Sequence, residues 1–339
     1  MSKVTVLGSE EISKLINIRM AIDAVEQAYI QKSSGSGGLW PMVFHEFEPG
    51  VADLDIKSGD LGDSGFFGLK LVSWYGENPG RGLPALFGTA LLFDIRTGEP
   101  KALLNAGGIT AYRTGAAAAI GAKYLARPDS ETLLMAGTGE ISPYLTAAGL
   151  YLMPQLKTVL IANPRKPEKA AEVCAKFTSE VDELLAACGL TRTAEIKPAA
   201  ELKEAVLCSD VIFTATPARA PYIKAEWINP GTHLSCIGAD MSGKEEVDGA
   251  LLAAARVFGD DAAQCLSVGE CELPYKQGLI SELTAEIGDV ITGRAAGRTG
   301  VEDITVFDST GIALQDISSA AALLAAAEKA GIGQTVEIG

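Results

Sequence analysis

The stretch TLLMAGTGEISPYLTAAG, residues 132–149, runs from an apolar tetrad, Leu133-Leu134-Met135-Ala136, through Gly137-Thr138-Gly139 into a helix-compatible pattern that begins near Pro143. Two readings fit it. In one, a strand feeds a glycine turn and a helix N-terminus whose amides receive a pyrophosphate. In the other, the turn needs glycine only for its backbone dihedrals. Ser142 takes the third fingerprint position and still allows close helix packing. Glu140 must point outward for the first reading to hold, because a carboxylate repels a pyrophosphate.

The flanking sequence favours the nucleotide. Strand-like runs at 158–162, 210–215, 232–238, 256–259 and 304–308 alternate with helical stretches such as PEKAAEVCAKFTSEVDELLAACG and KEEVDGALLAAA. Alternation of this kind predicts a doubly wound parallel sheet, the Rossmann type of α/β fold. Ligands bind such sheets at the carboxyl ends of the strands. Those ends read Gly137-Thr138-Gly139, Asn163-Pro164-Arg165-Lys166, Thr214-Ala215-Thr216-Pro217, Gly238-Ala239-Asp240 and Asp308-Ser309-Thr310-Gly311, nearly all small or polar. Asn163 stands where an NAD-binding sheet usually carries an acidic residue. With Arg165 and Lys166 beside it, the position leans towards the 2′-phosphate of NADP. The alternative is that these two cations only cap or solvate a helix start.

Upstream the pattern changes. Ile22, Val25 and Tyr29 fall at helical spacing, while GFFGLKLVSWY alternates, with Leu69 and Leu71 on one face and Lys70, Val72 and Trp74 on the other. ALFGTALLFDIRTGEPKALL reads as two strands around an Arg-Thr-Gly turn, SSGSGG as a loop, and AYRTGAAAAIGAKYLA as a closely packing helix that leads into the next domain. The final helix, ALQDISSAAALLAAAEKAG, can return to the first module. The expected division is residues 1–114 plus 313–339 as an α+β substrate and dimerisation domain, and 115–312 as the dinucleotide domain.

Composition narrows the chemistry. A net charge of −15 without a basic cluster argues against a nucleic-acid partner. No apolar run approaches the roughly 18–20 residues that cross a bilayer, and MSKVTVLGSEEIS lacks the character of a secretion signal, so a cytoplasmic protein is expected. Six cysteines occur without a Cys-x-x-Cys pair, which reads as reduced thiols. The only histidines are His45 and His233, without metal-ligand spacing, so neither zinc hydrolysis nor a Ser-His-Asp triad is expected, nor any metal. The chemistry falls to Lys, Arg and Asp, or to a bound cofactor.

Three such residues stand out. Asp240 follows the apolar run HLSCIGAD and precedes MSGKEEVD; it either exchanges a proton with a substrate nitrogen or caps the following helix. Lys70 is either a snorkelling strand residue or a cation aimed into a pocket. Arg113 is either a surface charge or a fork for a carboxylate.

The chain resembles the ornithine cyclodeaminase/mu-crystallin family, through GLKLVSWY, GLPALFGTALLFDIRTGEPKALL, TAYRTGAAAAIGAKYLA, MAGTGEIS, IGADMSGKEEVD, SVGECELPYKQGLI, EIGDVITGRAAGR and VFDSTGIALQDISSA. The resemblance implies a dinucleotide-binding α/β domain, a dimerisation and substrate domain built from both chain ends, a homodimer, and a bound NAD(P)H acting on small α-amino or α-imino acids. It assigns Lys70 and Arg113 to the substrate carboxylate, Lys70 also to the region of the reacting nitrogen, and Asp240 to general acid/base work. It places Gly137, Gly139, Glu140, Ile141, Asn163, Thr216, Lys244 and Ser309 along the dinucleotide, and Arg113, Thr138, Thr214, Gly238 and Ala239 are counted with them. Relatives commonly carry an arginine after the proline that matches Pro41. Here Met42 stands there, with His45 three residues on as the candidate substitute, and Ala85 replaces a cofactor-contacting threonine. The leading expectation is an imine reductase or amino-acid dehydrogenase. A cyclodeaminase that recycles its NAD is the runner-up, and an NADPH-binding protein without turnover is the third reading.

Overall fold

A computed structural model describes residues 2–338. Two compact units divide the chain. One holds the residues up to Ile16, Asp23–Arg113 and those from Ile312 on; the other holds Asn17–Ile22 and Thr114–Gly311. Asn17–Ile22 therefore groups with the second unit, whereas the sequence placed everything up to residue 114 in the first.

Along the chain come β1 (Ser2–Leu7), α1 (Ser9–Leu15) and α2 (Ile18–Ser34), whose residues up to Ile22 group with the second unit, then β2 (Gly37–Leu39), β3 (Val43–Glu48), β4 (Ala52–Leu61), β5 (Phe66–Tyr75), β6 (Leu86–Asp94), β7 (Pro100–Asn105) and the long α3 (Gly107–Leu125), which belongs to the second unit from Thr114 on. SSGSGG is not a free loop: it ends α2, turns at Gly35 and enters β2, which pairs antiparallel with β4. The Arg-Thr-Gly turn forms as expected, with Asp94 Oδ1 accepting the N–H groups of Arg96 and Thr97. In α3 the alanines 116–119 are buried. A Cβ on Gly115 would lie 2.6 Å from the Tyr144 carbonyl oxygen, so small residues are what allow this close approach.

The second unit runs through β8 (Thr132–Ala136), α4 (Ser142–Leu152), β9 (Thr158–Ala162), α5 (Pro167–Ala186), β10 (Glu195–Pro198), α6 (Leu202–Leu207), β11 (Val211–Thr214), β12 (Arg219–Ile223), β13 (His233–Cys236), β14 (Glu245–Val247), α7 (Gly249–Ala254), β15 (Arg256–Gly259), α8 (Ala262–Val268), α9 (Glu272–Lys276), β16 (Ala285–Glu286), α10 (Ile287–Ile291) and β17 (Thr305–Asp308). Its main sheet is parallel, in the order β10-β9-β8-β11-β13-β17-β15-β16. Strand order reverses between β8 and β11, the switch point where doubly wound sheets open a crevice. Register aligns the strand ends: Ala162, Ala136, Thr214, Cys236, Asp308 and Gly259 are successive partners across the sheet. Whatever follows these residues therefore emerges along one edge.

The chain then returns to the first unit as α11 (Ala313–Ala330) and β18 (Gln334–Ile338). β18 pairs antiparallel with β1, completing an eight-stranded sheet ordered β18-β1-β7-β6-β5-β4-β2, with β3 added on β4. Helix α11 covers β4, β5 and β6, burying Leu314, Ile317 and Leu324. No helix among the described residues is long and apolar enough to cross a membrane.

Candidate functional site

At the switch point of the parallel sheet lies a cleft of about 340 Å³, lined by residues that include Gly137, Thr138, Gly139, Asn163, Arg165, Lys169, Thr216 and Tyr222. Gly137 has φ 142°, and a Cβ there would sit 2.6 Å from the Ala215 carbonyl oxygen, so the turn requires glycine. At Gly139 an added Cβ would meet nothing within 4 Å, which leaves the mouth of the turn clear. The N–H groups of Thr138, Gly139, Glu140 and Ile141 donate to no backbone carbonyl among the described residues. A free row of amides at the start of α4 is what a pyrophosphate uses, and Glu140 is exposed. The residues present fit a dinucleotide.

Asn163 is held as a bracket. Its Nδ2 donates to Thr138 Oγ1 (2.8 Å), while its Oδ1 accepts the N–H groups of Arg165 (3.1 Å) and Lys166 (2.9 Å). Lys166 is the residue that caps α5 and does not line the cleft; Arg165 does, joined by Lys169, which sequence reading passed over.

Behind the cleft stands a residue that sequence reading missed. Glu246, fully buried, accepts hydrogen bonds from Thr214 Oγ1 (2.6 Å), Thr216 N and Oγ1 (2.7 Å each), Tyr222 OH (2.8 Å) and Gly238 N (2.8 Å). Thr214 is thus corrected: it is fully buried and its hydroxyl faces Glu246, so it supports the cleft without lining it. Burial pushes the Glu246 carboxyl above its usual range despite these donors. Glu270 Oε1 in turn accepts the N–H groups of Glu246 and Val247 (2.7 Å each). Asp308, the last residue of β17, is raised to about 7 by burial and accepts the Cys271 N–H (3.0 Å). Ser309 donates to Asp260 Oδ2 (3.1 Å) and is buried.

Asp240 follows Ala239, just past β13. It is exposed and ion-pairs with Lys244 at 2.5 Å. It caps no helix: a strand, β14, follows, and Asp248 caps α7 by accepting the Ala250 N–H.

In the first unit Lys70 and Arg113 are both buried, which removes their surface readings. Lys70 Nζ lies 2.9 Å from Asp316 Oδ2, Arg113 Nε 3.3 Å from Asp316 Oδ1, and Arg113 Nη1 donates to Gln315 Oε1 (3.2 Å). Burial lowers the Lys70 ammonium to about 8 against the pull of Asp316. Burial alone would raise the Asp316 carboxyl, but Lys70 and Arg113 hold it below the usual range. Residues directly opposite on antiparallel strands point to the same face. Lys70 pairs with Lys57 and Ala90, and Asp55 lies two residues from Lys57, so Lys57 and Asp55 share the Lys70 face. Sequence reading singled out neither. The same register corrects His45. It pairs with Leu54, on the opposite face, where its ring meets Phe47 edge-on at 4.9 Å. On that face His45 does not reach Lys70 as a substitute for the missing guanidinium. Met42 precedes β3 and is exposed.

These features set the chain beside known proteins. The profile of the ornithine cyclodeaminase/mu-crystallin family matches residues 2–330. The chain belongs to that family. An alanine dehydrogenase of Archaeoglobus fulgidus is 36% identical over 334 residues, 98% of each chain. The iminosuccinate reductase of Paracoccus denitrificans, solved in complex with NAD+, is 30% identical with a TM-score of 0.88, covering 99% of this chain and 100% of that one. The Δ1-pyrroline-2-carboxylate reductase of Thermococcus litoralis, solved with NADH and L-proline, is 29% identical with a TM-score of 0.88, covering 98% and 100%.

Proposed function

We propose that this family member is an NAD(P)-dependent oxidoreductase that interconverts a small α-imino acid and the corresponding α-amino acid. The observation that carries the reading is the buried Lys70–Arg113–Asp316 cluster, two cations held by one carboxylate on the covered face of a sheet. Such a pair retains charge for one further anion, the carboxylate of the substrate. The dinucleotide, held by the Gly137–Ile141 turn, Asn163 and Thr216, supplies or accepts the hydride when bound. Lys70 and Arg113 orient the carboxylate, which fixes the α-carbon and its nitrogen. Asp240 takes a proton from that nitrogen in oxidation and returns it in reduction, with Lys244 beside it balancing the charge.

Arg165 and Lys169 along the cleft, with Asn163 where an acidic residue would exclude a 2′-phosphate, support use of NADP in preference to NAD. We also propose a homodimer. The sheet face opposite Lys70 carries Val43 and Phe87, both about half exposed, which a second copy would bury.

The test is nicotinamide absorbance with purified protein, NADH or NADPH, and a panel of cyclic ketimines and α-keto acids supplied with ammonia or methylamine. Net cofactor consumption is expected. Ammonia release from ornithine or lysine with no net change in NADH would replace this reading with a cyclodeaminase. NADPH binding without turnover across the panel would replace it with a binding protein.

A further inference from the structure

Three consecutive residues, Glu270-Cys271-Glu272, each bond to a different segment of the second unit. Glu270 takes the N–H groups of Glu246 and Val247 in β14. Cys271 donates its N–H to Asp308 at the end of β17. Glu272, 1% exposed, accepts Ser242 Oγ at 2.5 Å on one oxygen and the Gly243 N–H at 2.7 Å on the other. Lys276, on the same helix, reaches the first oxygen at 2.5 Å.

The third of these contacts bears on Asp240. Ser242 and Gly243 lie between Asp240 and Lys244, which ion-pair at 2.5 Å. Asp240, Met241 and Ser242 are exposed, and Gly243 turns the chain at φ 76°. The turn is closed from within by the Lys244 N–H on the Met241 carbonyl oxygen (3.2 Å), with the Asp240–Lys244 ion pair across it. Among the described residues, what ties Ser242 and Gly243 to other segments is Glu272 and a weaker bond from Arg219 Nη1 to the Ser242 carbonyl oxygen (3.3 Å). A buried carboxylate that spends both oxygens on two adjacent residues fixes position and orientation together.

We propose that Glu272 is a positioning residue: by clamping the Ser242–Gly243 turn, it holds the Asp240 carboxylate where a proton must be exchanged. Glu272 touches neither substrate nor cofactor. The inference rests on the reading of Asp240 as the acid/base, and its test separates the two. Glu272→Gln keeps the shape of the side chain but turns one acceptor into a donor facing a donor. The expected result is a fall in kcat of about 10- to 100-fold, with cofactor Kd within about 2-fold of wild type. Amide hydrogen exchange at residues 241–244 is expected to speed up while the core of the parallel sheet keeps its protection. Ser242→Ala removes one of the two bonds without touching the buried acid, and is expected to cost about 3- to 10-fold in kcat. That variant carries the test if Glu272→Gln does not fold.

Asp240→Asn, measured in parallel, decides which idea fails. If Asp240→Asn is inactive while Glu272→Gln and Ser242→Ala keep wild-type kcat and wild-type exchange at 241–244, the clamp is overturned and Asp240 stands. If Asp240→Asn works at a near-normal rate, the acid/base reading falls and the proposal with it. A loss of cofactor affinity equal to the loss of kcat would show Glu272 to be a general prop of the domain, and would also overturn it.

Discussion

The two units bury charge in opposite ways. Around Lys70 and Arg113, two cations share one carboxylate, Asp316. Around the switch point of the parallel sheet, Glu246, Glu270 and Asp308 are all buried, and no lysine or arginine ion-pairs with them among the described residues. The first arrangement leaves positive charge to spare, which suits an incoming anion. The second spends its charge on neutral donors, hydroxyls and backbone N–H groups, and so fixes turns. A buried carboxylate with only neutral partners shifts towards protonation, as burial does at all three of these acids. On the proposed reading, one cluster binds and the other holds.

The sharpest way to break this contrast is at Lys70. Lys70→Met leaves Asp316 buried against Arg113 alone, and removing one partner of such a pair costs about 3–5 kcal/mol of stability. Catalysis should fall on the order of 10³-fold in kcat/KM, through the substrate term, with cofactor Kd unchanged. Calorimetry and steady-state kinetics on the same preparation check both halves. An active Lys70→Met enzyme would remove the binding role assigned to the cationic cluster.

At Glu246 the expected outcome is different in kind. Five donors converge on its two oxygens, and the amide of Glu246→Gln offers one acceptor and sets an NH2 against the remaining donors. The cost is about 1–3 kcal/mol for the unsatisfied groups. It should appear as weaker cofactor binding, about 10-fold, since Thr216 and Tyr222 line the cleft. kcat at saturating cofactor should change little. A large fall in kcat would mean that this acid takes part in proton exchange.

How much of this contrast could be read from the sequence follows from what sequence pattern records. The parallel sheet was legible because its strands are short apolar runs that end in small or polar residues, and the register then gathers those ends on one edge. Gly137 and Asn163, which line the cleft, were singled out in this way. Lys70 was visible as a charge in an alternating strand, but its burial was not, because that depends on α11 arriving from the far end of the chain. Glu246 and Glu272 stand in GKEEVD and GECELPYK, and nothing in the pattern of either stretch singled them out. Their burial comes from the return of residues 242–247 against the segment near residue 270, and local periodicity holds no record of such a contact. His45 failed for a related reason. Its distance along the chain from Pro41 suggested a substitute for arginine, but the pleat places it on the wrong face.

Lys57 sharpens the cationic side of the comparison. It lies directly across from Lys70, and its charge helps to lower the Lys70 ammonium, though burial is the larger cause. A substrate carboxylate needs the charged form, so kcat/KM should hold below about pH 8 and decline above it as Lys70 loses its proton. Removing Lys57 takes away a like charge, which favours protonated Lys70 and moves that limb to higher pH. Lys57→Met should therefore raise KM about 3- to 10-fold near neutrality through the lost attraction, yet lose less activity than the wild type between pH 8 and 9. A limb that stays in place would show that Lys70 does not set it.

The smallest effect tests the binding role of the second unit. Arg165 and Lys169 are exposed cations at the cleft, so each interacts with an anion through water and contributes little alone. If they face a 2′-phosphate, Arg165→Ala with Lys169→Ala should weaken NADPH about 10-fold and leave NADH within about 2-fold, and added salt should erode the wild-type preference. Equal loss for both cofactors would mean that these side chains meet the pyrophosphate instead. No loss for either would leave Asn163 as the reader, through the bracket it forms between Thr138 and the start of α5. The effect is small because the cleft is held open by buried acids behind it, and its exposed cations choose between ligands that the turn at Gly137 already accepts.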